Sequence, residues 1–169
     1  MNSTTNNKFN WVIATDYSIV HALLLESDQY NATPNSKIPY RAIETTIKHV
    51  KEGRVHILLS ENELVGMFTL NIASIGIRDK ALYPQAIKPA YLSRLAVYPK
   101  WLEKEPFIGM QCVRKAISIA KNVNCDCIRS EINPDILGVK RMLGMLDFKV
   151  LGEKTAKKHN PIQYLQKKL

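Results

Sequence analysis

Apolar positions along this chain recur with two periods, and the switches between them lay out its elements. Trp11 to Ala14 predicts a short first strand. Thr15 or Asp16 is placed to cap a helix running through Ser27, with Ile19, Val20, Leu23 and Leu24 at helical spacing. Asn31 to Pro39 carries two prolines among polar residues and reads as a loop. Ile43, Ile47 and Val50 predict a second helix over Arg41 to Lys51. Val55 to Leu59 and Leu64 to Ala73 flank a Glu61-Asn62 turn and read as a hairpin. Ser74 to Lys88 has no period; a connection of this length is often functional. Ala90 to Val97 is a fourth strand, and the charged Trp101 to Pro106 a loop. Phe107 to Val123 is a helix with Ile108, Cys112, Ala116, Ile119 and Val123 on one face. Then follow a strand, Cys125 to Ile132, and a helix, Leu137 to Leu146, with Val139, Met142, Leu143 and Leu146 inward. Phe148 to Gly152 and Ile162 to Leu165 read as the last strands.

The predicted order is βααββ followed by β–α–β–α–β–β. A hairpin half joined to a crossover half predicts an α/β (α+β) fold with a central mixed, mostly antiparallel sheet of six to seven strands and about four helices. The 169 residues suit one domain, 10–169, behind a polar tail, 1–9. No apolar run approaches the ~20 residues of a membrane span. MNSTTNNKF lacks the apolar core of a signal peptide, so a cytoplasmic location is expected.

The net charge of +9 suits nucleic acid, an anionic membrane surface or an anionic cofactor. Part of it is terminal and local, in Lys154, Lys157, Lys158, Lys167 and Lys168, and no nucleic-acid recognition motif accompanies it. Three cysteines argue against a disulfide framework. Cys125 and Cys127 read as small buried side chains of one strand, because no second His/Cys pair has zinc-like spacing, and no metal site is expected. His21, His49, His56 and His159 fall on separate elements and read as surface or edge residues.

Two stretches carry a resemblance. YLSRLAVYPKWLEKEPFIGM, from Tyr91 to Met110, reads as strand, basic loop and helix start; IRSEINPDILGVKRMLGMLDF, from Ile128 to Phe148, reads as strand, Pro-Asp turn, helix and closing aromatic. In this order they resemble the core of the GNAT superfamily of N-acetyltransferases, across about residues 10–169. The resemblance implies transfer of an acetyl (acyl) group from acetyl-coenzyme A to a small-molecule or peptide amine, by direct attack. It implies that Leu95, Ala96 and Val97 meet the pantetheine and that Lys104, Phe107, Ile108, Gly109 and Met110 face the pyrophosphate. The family's loop pattern, Arg/Gln-x-x-Gly-x-Gly/Ala, falls on Lys104 to Gly109, with Phe107 in place of the middle glycine. Successive unpaired N–H groups and a helix dipole attract phosphate at such a place. Asn133 is the stand-in for the family's asparagine, where Ile136 falls; Leu143 stands where relatives carry a tyrosine that protonates the departing thiolate, and Asp147 replaces a glycine.

On the acceptor side, Tyr91 falls where some relatives place a catalytic glutamate, and Glu131 is the nearest carboxylate. Their structural alternatives are a half-buried rim tyrosine and a solvated or salt-bridged acid. A regular strand would put Tyr91 and Ser93 on one face with Leu95 and Val97. Arg78, Asp79 and Tyr83 are the polar choices of the long connection, read as a lid or wall over the amine, with Tyr164 lining the pocket by analogy. A plain loop or a homodimer contact is the alternative for that connection. Two further readings stay open: a degenerate coenzyme A-binding or interaction module, and a toxin-like acetyltransferase of aminoacyl-tRNA.

Overall fold

A computed structural model describes residues 8–34, 36–72, 82–154 and 160–169. Its elements are β1 (Phe9–Ile13), α1 (Tyr17–Tyr30), α2 (Ile43–Lys51), β2 (Val55–Ser60), β3 (Glu63–Asn71), β4 (Pro89–Val97), α3 (Pro99–Lys104), α4 (Ile108–Asn122), β5 (Cys127–Ile132), α5 (Leu137–Met145), β6 (Lys149–Lys154) and β7 (Ile162–Lys168). The strands form one mixed sheet in the order β1-β2-β3-β4-β5-β7-β6, in which only β4 and β5 run parallel. This is the α/β class with seven strands, as the element order predicts.

Local chemistry explains several boundaries. Asp16 caps α1, its carboxylate accepting from the Ser18 N–H at 2.8 Å. Glu61 and Asn62 both have positive φ, 50° and 68°, as a two-residue turn between right-twisted strands requires. Arg41 stays outside α2 and instead forms a bidentate pair with Asp28 of α1.

The sheet separates two apolar layers. On one face Leu58, Phe68, Ala90, Leu92, Val97 and Ile128 pack with Ile108, Cys112 and Ala116 of α4 and Leu143 of α5. On the other, Val20, Leu23 and Leu24 of α1 and Val50 of α2 cover Ile57, Met67 and Ala96. Helix α4 lies close on β3: a Cβ at Gly66 would meet the Ala96 carbonyl oxygen at 3.2 Å and Cys112 Sγ at 3.3 Å.

The structure corrects three expectations. The charged stretch after β4 is not wholly loop, since Pro99–Lys104 is helical. Proline suits the first helical turn, and Trp101 anchors the helix against Phe9, ring centroids 6.1 Å apart. Leu95 and Val97 do not share a face with Tyr91 and Ser93. They pack with the Ala90 and Leu92 layer, because β4 carries one extra residue against β3, with Met67↔Ala96 followed by Thr69↔Ser93. His21, His49 and His56 are half-buried rather than superficial; the His56 ring stacks on Phe68 at 5.0 Å, and His21 Nδ1 lies 3.1 Å from Thr46 Oγ1. His159, Arg78 and Asp79 lie outside the described residues.

Candidate active site at the parting of two strands

The parallel ladder between β4 and β5 runs from Pro89↔Cys127 to Leu92↔Ser130 and goes no further. Each strand then keeps only its outer partner, β4 with β3 through Val97↔Gly66 and β5 with β7 through Ile132↔Gln163. The β4 bulge is the cause. Arg94 takes a left-handed φ of 53°, which a non-glycine residue adopts only under constraint, and the strand turns away from β5 there. From Ser93 to Val97 β4 has no ladder partner on its β5 side, and Ser93, Arg94 and Leu95 line the gap so left.

A cleft of about 840 Å³ runs through this gap. Leu95, Ile132, Val139 and Leu143 give it an apolar wall, while Asp28, Arg41, Arg94 and Glu131 give a charged one under the α1–α2 connection. Asn160 holds that connection in place, accepting from the Lys37 N–H at 2.8 Å and donating to its carbonyl at 2.6 Å. Of the residues singled out from sequence, Leu95, Glu131 and Asn133 line this cleft. Asn133 Oδ1 accepts from the Asp135 N–H at 3.0 Å and shapes the turn into α5. Leu143 is buried in the cleft wall, 1% exposed.

Beyond Val97, the chain passes through α3 to the N-terminus of α4. The Ile108 N–H bonds the Glu105 carbonyl and the Gln111 N–H bonds that of Phe107. Gly109 and Met110 lie between them in the first turn, where N–H groups have no partner within the helix. Phe107 is 66% exposed and supplies no side-chain cap. Lys104 ends α3, its ammonium 5.2 Å from the Trp101 ring. Gly109 has a packing reason of its own: a Cβ there would meet Met142 Sδ of α5 at 3.2 Å. Small size at Gly109 lets α5 approach α4, which sequence spacing alone did not reveal.

The three tyrosines gather elsewhere. Tyr83 makes edge contacts with Tyr91 at 6.2 Å and Tyr164 at 5.7 Å. Arg129 is buried beside them, donating to the Tyr91 hydroxyl at 2.7 Å and to Gln166 Oε1 at 2.8 Å, and also to the Pro84 carbonyl. Its guanidinium lies 4.6 Å from the centroid of the Tyr83 ring. Burial, and next the negative charge of Glu131, push the Tyr83 phenol well above its ordinary range. All three rings are buried and stand outside the walls of the cleft. Sequence reasoning missed Arg94, Asp28 and Arg41. Arg94 looks like an ordinary outward strand residue until the bulge turns it, and the other two sit beside a loop without a motif.

Among the described residues no group of three His, Cys, Asp or Glu side chains is placed to hold a metal ion, and no helix is long and apolar enough to cross a membrane. No family model and no curated protein matches the sequence. Solved structures do. A GNAT-family acetyltransferase from Listeria monocytogenes is similar at 17% identity and a TM-score of 0.76, over 95% of each chain. A chain of the NatC complex bound to Gag peptide and CoA superposes with a TM-score of 0.72 at 12% identity, over 96% of this chain and 99% of that one. The polyamine N acetyltransferase of Drosophila melanogaster superposes with a TM-score of 0.70 at 11% identity, over 95% of this chain and 100% of that one. Seven strands in this order, parting at one parallel pair, are the fold of the GNAT superfamily of N-acetyltransferases, and that is the fold this chain adopts.

Proposed function

We propose that the protein transfers an acetyl group from acetyl-coenzyme A to a primary amine. The observation that carries this reading is the β4 edge beyond Leu92, where Ser93, Arg94 and Leu95 share a cleft with Glu131 before the chain leads to the N-terminus of α4. An extended pantetheine arm fits such an edge as an added strand, with Leu95, Ala96 and Val97 offering backbone groups. Gly109 and Met110 offer first-turn N–H groups to a pyrophosphate, beside Ile108, whose own N–H is held by the Glu105 carbonyl, with Lys104 and Phe107 at the rim. The structural likeness to a NatC chain crystallised with CoA and to a polyamine N acetyltransferase supports this reading.

The thioester supplies an activated acyl carbon. The acceptor must present a neutral nitrogen, and Glu131, in the charged wall beside the gap, takes its proton. The C–N bond forms as the C–S bond breaks, and the electron pair leaves with sulfur. Leu143 has no proton to give, so the thiolate departs as such or takes a proton from water; its low basicity permits this. Tyr91 is the weaker candidate for the base, because its hydroxyl already accepts from Arg129. Leu143 also favours the second reading, a coenzyme A-binding module with little turnover.

Calorimetry with acetyl-coenzyme A, followed by thiol release over an amine panel, tests both readings. Transfer predicts binding and turnover, with Glu131→Gln lowering kcat by roughly 10²–10⁴-fold at unchanged coenzyme A affinity. Binding without turnover on any amine leaves the module, and no binding overturns both.

A further inference from the structure

The walls of the acceptor half of the cleft carry one more cation than carboxylate, which suits an amine that brings its own negative charge. The charged side chains of its described walls are Asp28, Lys37, Arg41, Arg94 and Glu131, three cations against two carboxylates. Asp28 is committed: Arg41 holds it through Nε–Oδ2 at 2.6 Å and Nη2–Oδ1 at 2.8 Å. Arg94 is different. It projects from the bulge toward the α1–α2 face, where Nη2 donates to Thr46 Oγ1 at 3.1 Å. A guanidinium carries five N–H donors, and a hydroxyl takes one of them without neutralising the charge. None of the Arg94 nitrogens is a buried atom without a partner, as expected of a side chain that opens on the cleft. Burial and the neighbouring Arg41 hold its pKa down to about 10, which still leaves it charged at neutral pH.

Glu131 stands across the same gap. Leu92 and Ser130 are the last paired residues, and parallel strands lie about 4.8 Å apart at a pair. Glu131 is one residue beyond that pair and Arg94 two. Both lie on the α1–α2 side of the sheet: Arg94 reaches Thr46 there, and Glu131 acts on Tyr83, which packs on Tyr91 of that face. A cation and a carboxylate that line one cleft on one side of the sheet suit an amine that carries its own carboxylate.

Resting on the acetyl-transfer reading, we infer that the acceptor is a free α-amino acid, its carboxylate on Arg94 and its amine turned toward Glu131. The neutral amine nitrogen bonds the acyl carbon, the C–S bond breaks with its electron pair on sulfur, Glu131 takes the proton that the nitrogen loses, water protonates the thiolate, and the products are an N-acetyl amino acid and the free thiol.

The experiment compares one side chain on three headgroups. The most reactive of the twenty amino acids is assayed by thiol release beside its α-amide and its decarboxylated amine, with acetyl-coenzyme A. The amino acid is expected to exceed both in kcat/KM by about tenfold or more. Arg94→Gln is expected to bring it down to their level, and Arg94→Lys to retain part of the preference. An amide or decarboxylated amine that reacts as well overturns the inference, as does Arg94→Gln lowering all three alike. If Arg94→Gln does not fold, the three headgroups on the wild-type protein still decide. Acetyl-coenzyme A binding with turnover only on amines that lack a carboxylate overturns the amino-acid assignment alone, and binding with turnover on no acceptor overturns the transfer reading as well. Absence of acetyl-coenzyme A binding by calorimetry overturns the transfer reading beneath it.

Discussion

Ser130 Oγ donates to the Leu92 carbonyl at 3.1 Å, and these two residues are also the last pair of the β4–β5 ladder. A side-chain hydroxyl thus ties the two strands at the point where they part. Ser130 is buried, so Ser130→Ala leaves the carbonyl without this donor and is expected to cost about 1–2 kcal/mol. Ser130→Thr, which keeps the hydroxyl, is expected to recover part of it. Urea unfolding of both variants measures this, and an unchanged midpoint for the alanine variant contradicts the tie.

Gly109 separates packing from ligand binding. A methyl there must push Met142 Sδ back from 3.2 Å, and the end of a methionine yields readily. Gly109→Ala is expected to change stability by less than about 1 kcal/mol, since better helix propensity offsets the contact. Gly109→Trp is expected to abolish coenzyme A binding by covering the first turn of α4. Equal affinities for wild type and the tryptophan variant, by calorimetry, would remove the pyrophosphate from this place.

Leu143 is expected to matter for stability and not for proton transfer. It is 1% exposed, and Leu143→Ala should cost roughly 2–5 kcal/mol. Leu143→Tyr adds volume at a filled site, so about 1–3 kcal/mol of destabilisation is expected, with kcat unchanged or raised. A large fall in kcat for a tyrosine variant that is still folded would show that α5 is wrongly placed relative to the thiol.

Two histidines make stability depend on pH. Burial holds the pKa of His56 below its ordinary 6.5, and burial with the nearby Arg94 does the same for His49. The unfolded chain therefore binds more protons on these rings than the folded one. Their contribution is complete above about pH 6.5 and is lost as pH falls toward the folded values. Urea midpoints are expected to drop between pH 7 and pH 5. The double variant His49→Gln, His56→Gln should flatten that slope, and a slope equal to that of wild type refutes the assignment.

Much of the fold was legible because its signals are local. Asp16 before an apolar periodic run, Glu61-Asn62 between alternating strands, and Val139, Met142 and Leu143 on one helical face each predict their element without reference to the rest of the chain. The order of those elements then leaves few sheet topologies open. Helix α3 escaped notice because six residues are too few for a period; Pro99 at its start and Trp101 were its only signals, and burial of Trp101 is a tertiary event.

The sequence by itself determined the elements, their order and the apolar face of each helix, because periodicity is written in neighbouring residues. Tertiary structure alone decided the site. One extra residue in β4 against β3 is a matter of register between strands, and register has no local signature. That residue turned Leu95 and Val97 to the other face, opened the gap beside Ser130, and brought Arg94, Asp28 and Glu131 into one cleft from distant parts of the chain. Charges so far apart in sequence become one site only when long-range pairing places them together, which is why composition showed a basic chain and only the fold showed where its charge acts.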